Sequence, residues 1–419
     1  MRLFSRRFKG WLLVGVVCLL AAAACTIASV EDVAPTGTAE PSGDEPLEWY
    51  NSSGNVLRQP SDFYTSEDAI RVAETVLLHQ SENGGWPKNY DRIAEITEKR
   101  KEELLVMKGR QDTTFDNGST HSEVRYLTKV YQATGDGRYK DAALRGIDFM
   151  LEAQYDNGGW PQVYPLTLGG YSKYITFNDD AMVSVMSVLR DVAEGHEAYA
   201  FVDEARRQQA ATAVEKGIAC ILKTQIVVDG KLTAWCAQHD QRTLEPRPAR
   251  AYEHPSISGG ESVGIVRFLM GIEDPGPEVI ATIEGAVAWF EAVKITGIRL
   301  ERVYDDSLSE GYNLVVVEDE TAPPLWARFY EIGTNKPMFM ESDGTVRDTF
   351  DELTYPTRVS YNWLVDEPAP LLYEEYPAWK ESHQQGTGVS GYVVPASVAC
   401  VALCAAVAGI WWWRRRFAR

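Results

Sequence analysis

The residues best equipped for chemistry are three carboxylates and two guanidiniums spread along the chain. Asp116 stands in Thr114-Phe115-Asp116-Asn117, just before a stretch with helical periodicity. Asp179 and Asp180 stand in the comparable Thr176-Phe177-Asn178-Asp179-Asp180. An aspartate at that place can be no more than a helix N-cap, but two adjacent carboxylates exceed what one cap requires. Brought together, Asp116, Asp179 and Asp180 form an oxygen-rich anionic cluster suited to calcium, which takes several oxygen ligands. A two-carboxylate glycosidase site is the rival reading. Arg250 lies among Pro246, Pro248 and Tyr252. A surface arginine in a proline-rich loop is the plain reading, yet the repeat described next places it near the level of the aspartates. Its guanidinium suits a carboxylate partner, and Arg328, in Trp326-Ala327-Arg328-Phe329-Tyr330, is a second candidate for binding an acidic sugar. His239 and Asp240 follow Trp235-Cys236-Ala237-Gln238. A lone His–Asp pair more often orders a loop than catalyses, and no Ser or Cys nucleophile motif accompanies it.

These residues sit on a repeat. Asn83-Gly84-Gly85-Trp86-Pro87-Lys88 recurs as Asn157-Gly158-Gly159-Trp160-Pro161-Gln162, and a degenerate copy ends in Trp235-Cys236, so the tryptophans are 74 and 75 residues apart. Trp86 and Trp160 suit either core plugs or sugar-stacking platforms, and plugs are the commoner use of such a place. Downstream of each tryptophan lies a second motif, its third copy read as Arg250-Ala251-Tyr252-Glu253-His254. Apolar residues at spacings of three and four predict helices over Ser66–His79, Ser122–Ala133, Arg138–Gln154, Asp180–Ala193, Ala200–Gln225, Ser262–Leu269 and Pro277–Val293. A helical hairpin with one apolar face must stack on others to bury it. The expected fold is mainly α, an α/α toroid of helical-hairpin repeats over residues 59–298 with motif-bearing loops at one end. A smaller irregular and β part over 299–380 packs against it, with short strands at Tyr312–Glu318 and Pro337–Phe339.

Charge and composition bound the function. The chain has 41 Lys plus Arg against 60 Asp plus Glu, a net −19. Two basic clusters at the termini are each +4, which leaves residues 10–413 at −27. Such a body has no basic stripe for a nucleic-acid backbone, and at 45% apolar residues it is not a disordered chain. Residues 1–24 read as a secretory signal, a basic start followed by a short apolar run. Cys25 after small residues also fits lipidation, with simple cleavage near Ala24 as the plainer reading. Residues 25–58 read as a tether, 381–391 as a linker, and 392–419 as an apolar span closed by Arg414-Arg415-Arg416, either a retained anchor or a sorting tail. The body is therefore expected outside the cytoplasm, at a bacterial surface or secreted, and as a monomer. Cys220 and Cys236 are read as two buried thiols, with a disulfide as the alternative.

Taken together, these motifs resemble the pectate lyases of polysaccharide lyase family 10. The resemblance runs through Asn83–Asn89, Thr114–Thr120, Ile175–Met182, Trp235–Asp240, Ala249–Glu253 and Ser258–Ser262, and covers about residues 60–355. It implies a largely helical toroid-like domain with an irregular β-containing region, and calcium-dependent cleavage of polygalacturonate by β-elimination. By motif position it implies that Arg250 is the catalytic base, that Asp116 and Asp179 are essential carboxylates with at least one on calcium, and that Arg328 binds substrate; the calcium ligands are expected among Asp116, Asp179 and Asp180. Lys88, Asn117, His239 and Asp240 are expected as further substrate contacts. One departure stands out: Ser342-Asp343-Gly344 occupies a place where such chains often carry an arginine before Asp-Gly. A hydrolase using paired aspartates and a non-catalytic pectin binder are the alternative readings.

Overall fold

The computed structural model describes Trp49, residues 55–166 and residues 169–387. The helices are α1 (Glu67–His79), α2 (Glu98–Val106), α3 (His121–Thr134), α4 (Gly137–Glu152), α5 (Ala181–Ala193), α6 (Glu204–Thr224), α7 (Glu261–Met270) and α8 (Pro277–Val293). Local chemistry starts several of them. Ser66, Asp136 and Asp203 each accept a backbone N–H at the first turn of α1, α4 and α6. Pro277 opens α8 at a position where its missing N–H costs nothing. Helix α2 was not expected from the sequence, because its apolar residues form no clear stripe.

The helices form two concentric sets. In α5, 8 of 13 residues are buried, whereas α6 buries 7 of 21, so α5 belongs to the inner set and α6 to the outer. A glutamine after each of three helices ties the outer set together. The Gln80 amide, after α1, donates to Gly84 O and to Ala142 O of α4. Gln154, after α4, donates to Gly158 O and to Ala213 O of α6. Gln225, after α6, donates to Thr233 O and to Thr282 O of α8. Thus α1, α4, α6 and α8 are successive outer helices, and α3, α5 and α7 line the inside, in the expected toroid-like arrangement.

The tryptophans are plugs. Trp86, Trp160 and Trp235 are fully buried. Their indole N–H groups donate to Val76 O, Met150 O and Ile221 O, each at 2.8 Å. Trp326 makes the same 2.8 Å bond to Phe290 O of α8. It is a fourth copy of the device, which the sequence hid because no Gly-Gly precedes it. Glycines on the outer helices make room for the plugs: a Cβ on Gly217 would lie 2.7 Å from Met186 Cε and 3.1 Å from Trp160 Cζ3.

The region after α8 carries paired short strands. Ile298–Tyr304 and Tyr312–Glu318 form an antiparallel hairpin. Trp326–Ala327 pairs with Leu364–Val365 within this region, and Ile257–Ser258 pairs with Phe329–Tyr330, which lashes it to the toroid. Two expected boundaries move. Trp49 and Val56 are buried, and the Trp49 indole donates to Ser122 Oγ, so the end of the expected tether is part of the core. Residues 381–387, expected in the linker, continue the helix Tyr376–Thr387. The leader, Cys25 and the apolar segment at 392–419 lie outside the described residues. Among the described residues, no helix is long and apolar enough to cross a membrane. Cys220 and Cys236 are free and buried.

His239 belongs to this framework. Ile175–Thr176 pairs with Gln238–His239. His239 is fully buried, its Nδ1 lies 2.9 Å from Leu244 O, and its Nε2 accepts from Cys236 N. Burial pushes its pKa down to about 4. The expectation that it contacts substrate is corrected: both ring nitrogens are spent inside the loop. Asp240 beside it accepts from the Arg242 and Thr243 amides and pairs with Arg247, so it too orders the loop.

Two outcomes follow from this packing. Gly217→Ala is expected to destabilise the fold by about 1–3 kcal/mol through overpacking, outweighing its gain in helix propensity, as read by urea denaturation. His239 is neutral in the fold but carries an ordinary value near 6.5 when unfolded. Its contribution is therefore complete above that value and lost as pH falls toward 4. The stability gap between the wild type and His239→Gln is expected to narrow over that window, and a pH-independent gap would contradict the buried neutral ring.

Candidate active site

Two loops with the same backbone course place the aspartates. Asp116–Gly118 and Asn178–Asp180 are each a single 3-10 turn, with the middle residue left-handed: Asn117 at φ 48° and Asp179 at φ 52°. Asp116 is therefore equivalent to Asn178, Asn117 to Asp179, and Gly118 to Asp180. Asn and Asp tolerate the left-handed region better than other non-glycine residues. The turns hang from the tryptophan loops, since Thr114 N donates to Trp86 O and Thr176 N to Trp160 O. In the third repeat the residue bonded in this way is Ser258, to Trp235 O at 2.7 Å. The third copy of the motif is therefore Ser258–Glu261 and not Arg250–His254, which lies in the connection leading to it.

The turns lie at the N-terminal ends of α3, α5 and α7, around a cleft of about 660 Å³ whose walls include Asn117, Asp179, Asp180, Glu261, Arg267 and Arg328. Asp116 is buried beside it. One of its oxygens, Oδ2, accepts from Lys88 Nζ, whereas Oδ1 is buried with no partner. Asp179 opens into the cleft with protein around most of it. Desolvation raises its pKa to about 6, the charge of Asp116 adds to the rise, and the charge of Arg328 works against it. The two carboxylates are thus neighbours, with Lys88 on Asp116 and the charge of Arg328 acting on Asp179.

Asp180 does not join them. It too is left-handed, at φ 54°, and two such residues in succession fan the side chains apart. Its carboxylate lies against Gly264 of α7, where a Cβ would collide with it. Desolvation, then the charge of Glu261, raises its pKa to about 6. Among the described residues, no group of three or more His, Cys, Asp or Glu side chains is arranged to hold a metal ion. The expected three-aspartate cluster is therefore a pair, Asp116 and Asp179, with Asp180 apart.

A chain of contacts joins this pair to the arginines. The Asn178 amide donates to Asp179 Oδ2 at 2.7 Å, and its carbonyl oxygen accepts from Arg328 Nη2 at 3.2 Å. Arg328 also bonds to Glu261 and lies 4.5 Å from the Tyr361 ring centroid. Burial opposes its charge, but Glu261, Tyr361 and Asp179 hold its pKa above the ordinary value. Arg250 lies 5.9 Å from the same Tyr361 ring, half-exposed and bonded to Glu253. Asn117, at the cleft, donates to Asn89 Oδ1. Tyr361, Asn178 and His121 were missed by the sequence reading. His121 lines the cleft with its Nε2 unpartnered, and burial pushes its pKa to about 3, so it is neutral. No sequence signal marked Tyr361, because it lies far from every repeat motif.

The paired carboxylates suit a hard cation, and Arg328, linked to Asp179 through Asn178, suits an anionic partner; Arg250 is not among the residues lining the cleft. Comparison with known proteins gives the family. The family model described as Pectic acid lyase matches residues 80–372. A family 10 polysaccharide lyase from Cellvibrio cellulosa is 32% identical, with a TM-score of 0.65, over 78% of this chain and 96% of that one. An aspartate-to-alanine mutant of a family 10 polysaccharide lyase from that organism, in complex with trigalacturonic acid, is 33% identical with a TM-score of 0.64, over 76% of this chain and 94% of its own. A squalene–hopene cyclase from Zymomonas mobilis is 28% identical over 130 residues, which are 29% of this chain and only 17% of the cyclase. With the family model spanning most of the body and two solved relatives covered almost end to end, the chain belongs to the pectic acid lyase family, the pectate lyases of polysaccharide lyase family 10.

Proposed function

We propose that the protein cleaves polygalacturonate outside the cytoplasm by calcium-assisted β-elimination, with Arg250 as the base. The observation that carries this reading is the unpartnered, buried Oδ1 of Asp116 beside the Asp179 carboxyl. A buried carboxylate oxygen without a donor costs free energy, and a bound cation would satisfy it. Asp116 and Asp179 fit calcium as oxygen donors, leaving coordination places for water and substrate oxygens. Calcium, when bound, supplies a Lewis-acid charge that favours negative charge building on the substrate carboxylate. The trigalacturonic acid bound by the Cellvibrio relative supports the substrate class. The leader and tail read from the sequence support the location.

The chain's own residues divide the remaining work. Arg328, buried and held charged, receives a galacturonate carboxylate near the aspartate pair. Arg250, in its neutral form, removes the proton from C5. The electrons of the C5–H bond become the C4–C5 double bond, the C4–O4 bond breaks, and O4 leaves with its electron pair. Lys88 neutralises Asp116 from the other side, and Asn117 remains as a substrate contact at the cleft. Because arginine is strongly basic, the neutral form is scarce near neutral pH and activity should rise toward alkaline pH.

On polygalacturonate with calcium, ultraviolet absorbance from the unsaturated product is expected to grow together with reducing ends, and EDTA is expected to abolish both. Chain scission without ultraviolet absorbance would indicate a hydrolase, and binding without scission a non-catalytic pectin binder. Arg250→Ala is expected to lose about 10²-fold or more of kcat, as a base contributes, and retention of most activity would remove Arg250 from that role. Calcium affinity is expected to hold above pH 6 and to weaken below it. Asp179, with its pKa near 6, must give up a proton to bind the ion, and calorimetry across pH 5–8 reads this directly.

A further inference from the structure

The site holds Arg250 in an unusual way. Glu253, three residues on, is almost fully buried, whereas the Arg250 side chain is 44% exposed. One carboxylate oxygen, Oε2, accepts from Arg250 Nε at 2.9 Å and from the Arg250 backbone N–H at 3.0 Å. The other, Oε1, lies 2.8 Å from Arg250 Nη2 and accepts from the Tyr361 hydroxyl at 2.8 Å. The loop is closed on itself as well, because Glu253 N donates to Arg250 O and Ala249 N to Glu253 O. Tyr361 is fixed in turn: it packs edge-on against Tyr252 at 5.4 Å and tilted against Trp363 at 5.0 Å, and stacks on Phe329 at 6.1 Å.

A guanidinium has five N–H donors in a fixed plane. Glu253 takes the Nε and Nη2 edge, which leaves Nη1 without a hydrogen bond among the described residues. The same Tyr361 ring lies against Arg328, which joins the Asp179 neighbourhood through Asn178. One tyrosine thus holds the carboxylate that orients Arg250 and also packs against the arginine that receives substrate.

We propose that Glu253, anchored by Tyr361, is the positioning residue of the reaction: it clamps one edge of Arg250 and presents Nη1 as the atom that takes the C5 proton. This rests on Arg250 acting as the base. Glu253 and Tyr361 touch no substrate in this assignment and act through Arg250. The clamp carries a cost that makes it testable. Burial works against the Arg250 charge, but the Glu253 hydrogen bonds and charge more than offset it and hold the pKa above the ordinary value. The groups facing Arg250 are Glu253, Tyr252 and Tyr361, with Arg328 also against the Tyr361 ring and His254 next in the loop. Among them, Glu253 is the charge that opposes proton loss. Orientation is therefore gained at the expense of the fraction of Arg250 that is neutral.

The test measures kcat, KM and the pH profile on calcium-saturated polygalacturonate, with calcium affinity from calorimetry using the metal alone. The variants are Arg250→Ala, Glu253→Gln and Tyr361→Phe. Glu253→Gln keeps the size but removes the charge and one acceptor. Its kcat is expected to fall by about 10²-fold, the scale of a misplaced reacting group, while KM and calcium affinity stay within about twofold of wild type, inside the normal scatter of such contributions. Its alkaline rise in kcat is expected to shift to lower pH, because the charge opposing deprotonation is gone. A merely structural role would not move that profile. Tyr361→Phe keeps the ring against both arginines and removes one hydroxyl, so it is the milder variant where the glutamine does not fold. Its kcat is expected to fall about fivefold, the worth of one net hydrogen bond, with KM unchanged. If both variants keep wild-type kcat and profile while Arg250→Ala is inactive, the base reading stands and the positioning role alone falls. If Arg250→Ala retains most activity, the base reading falls and the positioning role falls with it.

Discussion

The structure depends on a glutamine amide that bridges one outer helix to the next. Gln80, Gln154 and Gln225 each donate once to their own loop and once to a carbonyl of the following outer helix. Gln80 and Gln225 are buried and Gln154 is partly so, and the loss of a bond there would leave a carbonyl unsatisfied. The bridge fixes where the loop leaves the outer helix. The tryptophan that follows then drops into the core and ties its indole to the same helix end. Loop after loop is delivered to one end of the toroid by the same set of bonds, and the chemistry is built on that end.

Charge is the second constraint. The body carries −27 between the terminal clusters, and an acidic polymer would be repelled by it at long range. The site answers locally rather than globally. Lys88 neutralises one oxygen of Asp116, Arg328 is held charged between Glu261 and Asn178, and Arg250 is held charged by Glu253. Against these stand Asp116, Asp179, Asp180, Glu261 and Glu253. The positive groups inside the protein are mostly engaged by its own carboxylates, so little net positive charge is left for a polyanion. A bound dication is the term that would reverse the sign, which is why the partnerless Asp116 oxygen weighs more than the overall charge.

Much of this was legible in the sequence because it repeats. The Trp86, Trp160 and Trp235 spacing gave the helical hairpins, the toroid-like class and the level of Asp116 and Asp179. The hairpin helices begin and end within a few residues of the apolar periodicity. The failures have physical causes. Asp179 and Asp180 look alike as letters, but two consecutive left-handed residues separate their carboxylates. Arg250 seemed to occupy the third motif because it lies downstream of the third tryptophan, whereas the backbone bond to Trp235 O belongs to Ser258. His239 had the look of a functional histidine, and burial with two backbone partners makes it a structural one. Tyr361 is 108 residues from the glutamate it holds, and no periodicity reaches that far.

The asymmetry between the repeats is where function enters. From tryptophan to the following Thr or Ser anchor, the three loops run 28, 16 and 23 residues. The two ends of each loop are fixed by the glutamine bridge, the indole and the anchor bond, so length and sequence between them can vary without disturbing the helices. The first loop uses that freedom to place Lys88 against Asp116, and the third to place Arg250 and Glu253 beside Tyr361. The shared ends do the opposite: they force Asp116-Asn117 and Asn178-Asp179 into the same turn, with acid and amide exchanged. Because the two positions of the turn point differently, the exchange allows one carboxylate from each repeat to meet, while the Asn178 amide is left to link Asp179 to Arg328. Two aspartates at equivalent positions would be related by the repeat and held apart by it. The site is therefore a product of breaking the repeat at single residues while keeping its backbone.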